Sequence, residues 1–181
     1  MQSKVFKNVK ILCCCAMFMA LSAIIAYFCK LFLTINTSFR ITFENLPVIL
    51  SGMFFGPVAG LLTGLGSDIV STAVSQYGIG GINPIITLGA GSVGLVAGLF
   101  SRILPVKKNS IPALLITVFS SHIIGNMVIK SIGLNVFYGF TLPQLLPRIP
   151  LYLIIGSIEF FIIMVITRNK GITNAVEKLK K

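Results

Sequence analysis

The chain has 181 residues, which fits one domain. Of these, 55% are hydrophobic and 10% charged, which is not a soluble composition. The formal net charge of +11 does not mark a nucleic-acid binder, because the basic residues sit at the ends of apolar runs and no nucleic-acid motif is present.

Lys4, Lys7 and Lys10 precede the first apolar run, Ile11 to Cys29. That run is longer than the roughly 7–15 residues of a secretory leader's apolar core and has no small-residue cleavage site, so it reads as a span rather than a leader. The first span is expected over about Ile11 to Leu33. Cys13, Cys14, Cys15 and Cys29 fall in it without a Cys-x-x-Cys spacing or a His cluster. They read as small apolar packing residues, with lipidation of the triplet as the alternative. No metal and no cofactor is expected.

The second span runs back from near Phe43 to Phe55, and "FGP" at 55–57 turns the chain, since Pro57 cannot continue a backbone ladder. The third covers about Ala59 to Val74. These two are short: about 32 residues from Glu44 to Ser75 must cross twice, whereas a full crossing takes about 20. Either the helices are short or the second begins before Glu44. Gly52, Gly56, Gly60 and Gly64 recur every fourth residue and offer flat faces for close helix contact; Ala90, Gly94 and Gly98 repeat the pattern.

After a Gly-rich loop the fourth span begins at "NPII", with Asn83 as N-cap and Pro84 in the first helical position, and ends at Arg102. A basic loop with Lys107 and Lys108 leads to the fifth, Ile111 to Ile129. The segment "KSIGLNVFYGFTLPQLLPR" is expected as a loop before the sixth, Ile149 to Thr167, and the basic tail as a brief amphipathic helix. The fold expected is an all-α integral membrane bundle of six transmembrane helices in a single domain, 1–181. The distribution of Lys and Arg places both termini in the cytoplasm and the chain in the cell membrane as a multi-pass protein.

Asp68, His122 and Glu159 are ionisable groups inside spans, where an unpaired Asp costs about 2.5–3.5 kcal/mol. At 1.5 Å rise per residue His122 and Glu159 reach similar depth, so a hydrogen bond between them is possible. At the outer ends, Arg40 and Glu44 are four apart and can meet on one helix face. Tyr77 sits in the Gly-rich loop, and the helix opened by Asn83 has backbone N–H groups for an anionic ligand group. Asn126, Lys130, Tyr138, Arg148 and Tyr152 bracket the outer ends of spans five and six. Cations, amides and aromatic faces around one mouth suit a flat aromatic molecule with carboxylates, although Tyr, Lys and Arg also gather at headgroup level as anchors. Nothing indicates an enzyme. The phosphate-binding Gly-x4-Gly-Lys-Ser/Thr loop is missing, and Ser67 in "GLGSDI" lacks the context of a protease nucleophile.

The blocks "FRITFENLPVILSGMFFGPVAGLLTGLGSDIV", "INPIITLGAGSVGLVAGLFSR" and "NVFYGFTLPQLLPRIPLYLIIGSIEFFII" resemble the S components of energy-coupling-factor (ECF) vitamin transporters, most of all the folate-specific group. The resemblance implies a high-affinity vitamin-capture subunit that works with a transmembrane coupling protein and two cytoplasmic ATPases. It implies a docking face of small residues on the first helix, carried here by Ala16 and Ala20 of "AMFMALSA", with Ala23 adjacent. It also implies a vitamin site in the outer half, closed by the loops that hold Arg40, Tyr77 and Tyr138. Two rival readings stand beside folate. One is an S component for another vitamin, such as pantothenate, pyridoxine or a pyrimidine precursor; the other is a small secondary carrier driven by protons through Asp68, His122 or Glu159.

Overall fold

The structure, a computed structural model, describes residues 8–36, 39–75, 81–104 and 110–180. In chain order these form α1 (Val9–Phe32), a ribbon of β1 (Thr34–Asn36) and β2 (Phe39–Arg40), α2 (Asn45–Phe55), α3 (Pro57–Ala73), α4 (Pro84–Ile103) and α5 (Ile111–Ser121). A π-helical stretch (His122–Ile129), α6 (Lys130–Tyr138), the short α7 (Leu142–Leu145), α8 (Arg148–Arg168) and α9 (Lys170–Lys180) follow. The ribbon is antiparallel, pairing Thr34 with Arg40 and Asn36 with Phe39.

Among the described residues four stretches are long and apolar enough to cross a membrane: Val9–Phe32, Pro84–Ile103, Ile111–Tyr138 and Leu142–Arg168. Large apolar side chains such as Met17, Ile24, Ile154, Phe161 and Val165 are exposed on them. Patches on this scale are what a lipid-facing surface presents. The molecule is a helical membrane bundle.

The two short helices take the centre. α2 has 11 residues, and eight of them are buried: Asn45, Pro47, Val48, Ile49, Leu50, Ser51, Gly52 and Phe55. At 1.5 Å per residue it is about 16 Å long, well short of a hydrocarbon core of about 30 Å. A short helix at that depth needs protein around it. The cover is a core in which Val48, Ile49 and Leu50 meet Val93 and Ala97 of α4, Leu114 and Val118 of α5, and Phe160 and Ile163 of α8.

The glycines bring α2, α3 and α4 into backbone contact. A Cβ built at Gly94 would land on the Gly60 carbonyl, one at Gly52 on the Gly94 carbonyl, and one at Gly98 would lie 2.5 Å from Pro57 Cα. Gly56 makes the turn between α2 and α3 at φ 104°, and Pro57 opens α3, where its missing N–H costs nothing.

α9 folds back so that both ends of the described chain meet. Asn8 Nδ2 donates to the Leu179 carbonyl at 3.0 Å, and Val176 packs against Ile11, Cys15, Phe55 and Ala59. This is the terminal end of the bundle; the opposite end carries the ribbon and the N-terminus of α2.

Two expectations need correction. Arg40 and Glu44 share no helix: Arg40 lies in β2, and α2 starts only at Asn45. Pro47 explains the late start, since it has no N–H to give and its ring blocks the carbonyl four residues back, confining it to a first turn. The segment after Ile129 is not mainly loop. The fifth rod continues to Tyr138 and stops at Gly139, which is left-handed at φ 66°. Thr141 and Gln144 then cap α7 reciprocally.

Candidate functional site

The far end of the bundle contains polar side chains at depths where apolar ones are the rule. Glu44, at the head of α2, and Lys130, at the head of α6, form an ion pair with Lys130 Nζ 3.0 Å from Glu44 Oε1. Both residues are buried, at 7% and 4% exposure. Gly89 gives the lysine stem its path, because a Cβ there would meet Lys130 Cγ at 2.6 Å. Ser22 of α1 donates to the Glu44 carbonyl at 2.6 Å and ties the head of α2 to α1.

Two turns deeper, His122 Nε2 lies 2.8 Å from Glu159 Oε2, and Asn126 Nδ2 lies 3.0 Å from His122 Nδ1. With Asn126 donating to Nδ1, the ring carries its proton on Nε2 and donates it to Glu159. All three residues are sealed from solvent, and Asn126 Oδ1 and Glu159 Oε1 remain without a protein partner. Asn45 Nδ2 is left over in the same way.

Arg148 heads α8. It donates to Tyr152 Oη at 3.1 Å and Ser131 Oγ at 3.2 Å, and its guanidinium carbon lies 5.4 Å from the centre of the Tyr152 ring. The Tyr152 and His122 rings are 6.1 Å apart, which links this cation to the deeper chain. Arg148 is buried at 7% exposure, and no carboxylate pairs with it among the described residues. Asp68 accepts from Thr87 Oγ1 at 2.7 Å, so it is bonded within the bundle. Lys30 of α1 reaches the Ser71 carbonyl at 3.2 Å and its hydroxyl at 3.3 Å. A cavity of about 10 Å³ lies beside Glu44, Asn45 and Asp68.

Of the residues singled out in the sequence, the structure gathers Glu44, Asn126, Lys130, Arg148 and Tyr152 at this end. Tyr138 stands apart, more than half exposed, with the Phe140 ring 6.4 Å away. Asn83 is turned to a different use: its side chain accepts from the amides of Ile85 and Ile86, so these helix-start donors are not free for an anion. Tyr77 and the Arg40 side chain lie outside the described residues. Ala16 and Ala20 are exposed on α1, whereas Ala23 is buried at 6%. Asn45, Thr87 and Ser131 were missed. The spacing of His122, Asn126 and Lys130, four apart in an apolar run, was the available sign of a buried polar stripe. Among the described residues no three His, Cys, Asp or Glu side chains are grouped to hold a metal.

The model of the "ECF-type riboflavin transporter, S component" family matches residues 6–169. A crystal structure of FolT bound with folic acid superposes with a TM-score of 0.66 and 23% identity, covering 86% of this chain and 92% of that one. At that identity the likeness is one of fold. No curated protein matches the chain. Family and fold are those of a transporter component and not of an enzyme. With the family model spanning nearly the whole length, the chain belongs to the S components of ECF-type transporters.

Proposed function

We propose that this chain captures folate or a reduced folate at the far end of its bundle and passes it inward with a transmembrane coupling protein and two cytoplasmic ATPases. The observation that carries the choice of ligand is Arg148, a buried cation with no carboxylate partner among the described residues. Three of the chain's acids are bonded elsewhere, Glu44 to Lys130, Asp68 to Thr87 and Glu159 to His122. The fourth, Glu177, lies on α9. A buried guanidinium calls for an anion, and a bidentate carboxylate suits it best. Folate carries two carboxylates on its glutamate tail. The leftover acceptors on Asn126 and Glu159 suit the amino and ring N–H groups of a pterin. FolT, of the same fold, is bound with folic acid in its crystal structure.

Riboflavin is the second reading, favoured by the family model's own description. Its ring offers a similar hydrogen-bonding edge, but it carries no carboxylate for Arg148. A pantothenate site would use the cation but not the aromatic faces. Family membership weighs against the self-sufficient proton-driven carrier. For any vitamin the far end must open, because about 10 Å³ holds about one water molecule.

The remaining assignments follow the same reading. Counting the short α2 and α3 as crossings gives six spans. Arg102, Arg168, Lys170, Lys178 and Lys180 gather toward the terminal end, which makes that end cytoplasmic. Ala16 and Ala20 then provide the coupling-protein face.

Arg148→Gln tests the ligand assignment. Charge-assisted hydrogen bonds contribute about 1.5–3 kcal/mol, so folate affinity should fall about tenfold or more. Riboflavin or any neutral analogue that binds should be little affected. Unchanged folate affinity would remove the main support for a carboxylate-bearing vitamin.

A further inference from the structure

At the terminal end, remote from the vitamin site, a cavity of about 180 Å³ opens between the ends of α2, α4, α5 and α8 and the start of α9. Its inner wall is apolar and adaptable, formed by Met53, Leu114 and Met164; its rim is polar, with Ser110, Thr173 and Arg168. Leu114 is buried, whereas Arg168 is exposed at the last residue of α8.

The charges around this opening are predominantly basic, with Glu177 on α9 the one acid at this end among the described residues. Arg168 has no ion pair or side-chain hydrogen bond among the described residues, and Glu44, Asp68 and Glu159 are buried within the bundle and bonded there. Arg102 lies in the last turn of α4 and Lys170 begins α9 on the same side. Ser110 makes no side-chain cap on α5, so the Ile111 and Ala113 amides add partial positive charge at the rim, Pro112 between them having no N–H.

An apolar wall beneath a basic rim, at the level where membrane-spanning helices end, fits a lipid better than a soluble anion or a protein side chain. The soluble anion has no use for the wall, and an apolar side chain leaves Arg168 unanswered. Basic pockets between transmembrane helices take anionic headgroups by this division of labour. We propose that the cavity binds one anionic phospholipid, its phosphate against Arg168 and the head of α5, and the start of an acyl chain along Met53, Leu114 and Met164. The site does not depend on which vitamin the far end takes.

The test uses the full chain in detergent, titrated with phosphatidylglycerol and phosphatidylcholine of equal chain length and read by native mass spectrometry. Phosphatidylglycerol should bind more tightly, and Arg168→Gln should weaken it about fivefold, the factor expected for one Arg near a lipid surface. Arg168→Lys should restore most of that loss. Thr173→Phe, which fills the rim without changing charge, should weaken binding as well. Lys178→Gln, also on the basic side but not on the rim, should have little effect. Glycerol 3-phosphate at the same concentration should not compete. The proposal fails if the two lipids bind equally, if Arg168→Gln changes nothing, if Lys178→Gln is as damaging as Arg168→Gln, or if glycerol 3-phosphate displaces the lipid.

Discussion

Glu44 and Lys130 lie 86 positions apart in the chain and meet at 3.0 Å in the interior. A buried pair of this kind contributes little net stability, yet breaking it by removing one member costs about 3–5 kcal/mol, because the other charge loses a buried counter-charge. Glu44→Gln and Lys130→Met should therefore each lower the melting temperature in detergent sharply. The double substitution should cost much less than the sum of the two. A double-mutant cycle on thermal unfolding checks this, and strictly additive losses would mean that the charges do not depend on each other. Part of this polar interior was legible in the sequence. Counting depth along two helices brought His122 and Glu159 within reach of a hydrogen bond, which the structure contains. The Glu44–Lys130 pair was not legible, because the Pro47-limited start of α2 and the continuation of the fifth rod past Ile129 bring the two together. The expected meeting of Glu44 with Arg40 falls on a side chain outside the described residues.

The glycine pattern was the clearest structural statement in the chain, and its physical meaning is backbone contact between α2, α3 and α4. Gly94 and Gly60 face each other so closely that neither has room for a Cβ. Gly94→Leu should push α3 and α4 apart and cost at least about 1–3 kcal/mol, as overpacking typically does. Gly56→Ala acts through a different cause, since φ 104° with ψ 176° is a conformation that only glycine adopts at ease. That strain is about 1–3 kcal/mol. Melting curves in detergent check both, and a Gly94→Leu protein as stable as its parent would contradict the packing described here. The element ends were read well where turn chemistry marked them, at Asn83–Pro84 and Gly56–Pro57. They were misread beyond Ile129, where Lys130 and a few small polar residues looked like the start of a loop. Packing decides that helix: Gly133 lies against Ile85 and Ile86, and Gly125 against Val93. The π-helical geometry of His122–Ile129 left no sign in the sequence, since residues that give a π turn also give an α turn.

As a whole, the molecule has a polar far end and a basic terminal end joined by a glycine-packed centre, and the exposed Ala16 and Ala20 on α1 lie nearer the terminal one. Small residues four apart let another helix approach closely. Ala16→Trp with Ala20→Trp should leave vitamin binding to the isolated chain intact and abolish uptake by the assembled transporter. Uptake into proteoliposomes with and without the coupling protein and ATPases checks this; accumulation by the chain alone under a proton gradient would defeat the S-component mechanism. The central claim is that the far end recognises a vitamin through its carboxylates. The most direct measurement is a calorimetric titration of the purified chain with folate and, separately, riboflavin, supported by melting curves. The account predicts that folate saturates a single site and that, at about 1,000 times its dissociation constant, it stabilises the fold by about 4 kcal/mol, while riboflavin at the same concentration does neither. Saturation by riboflavin with no response to folate would contradict it.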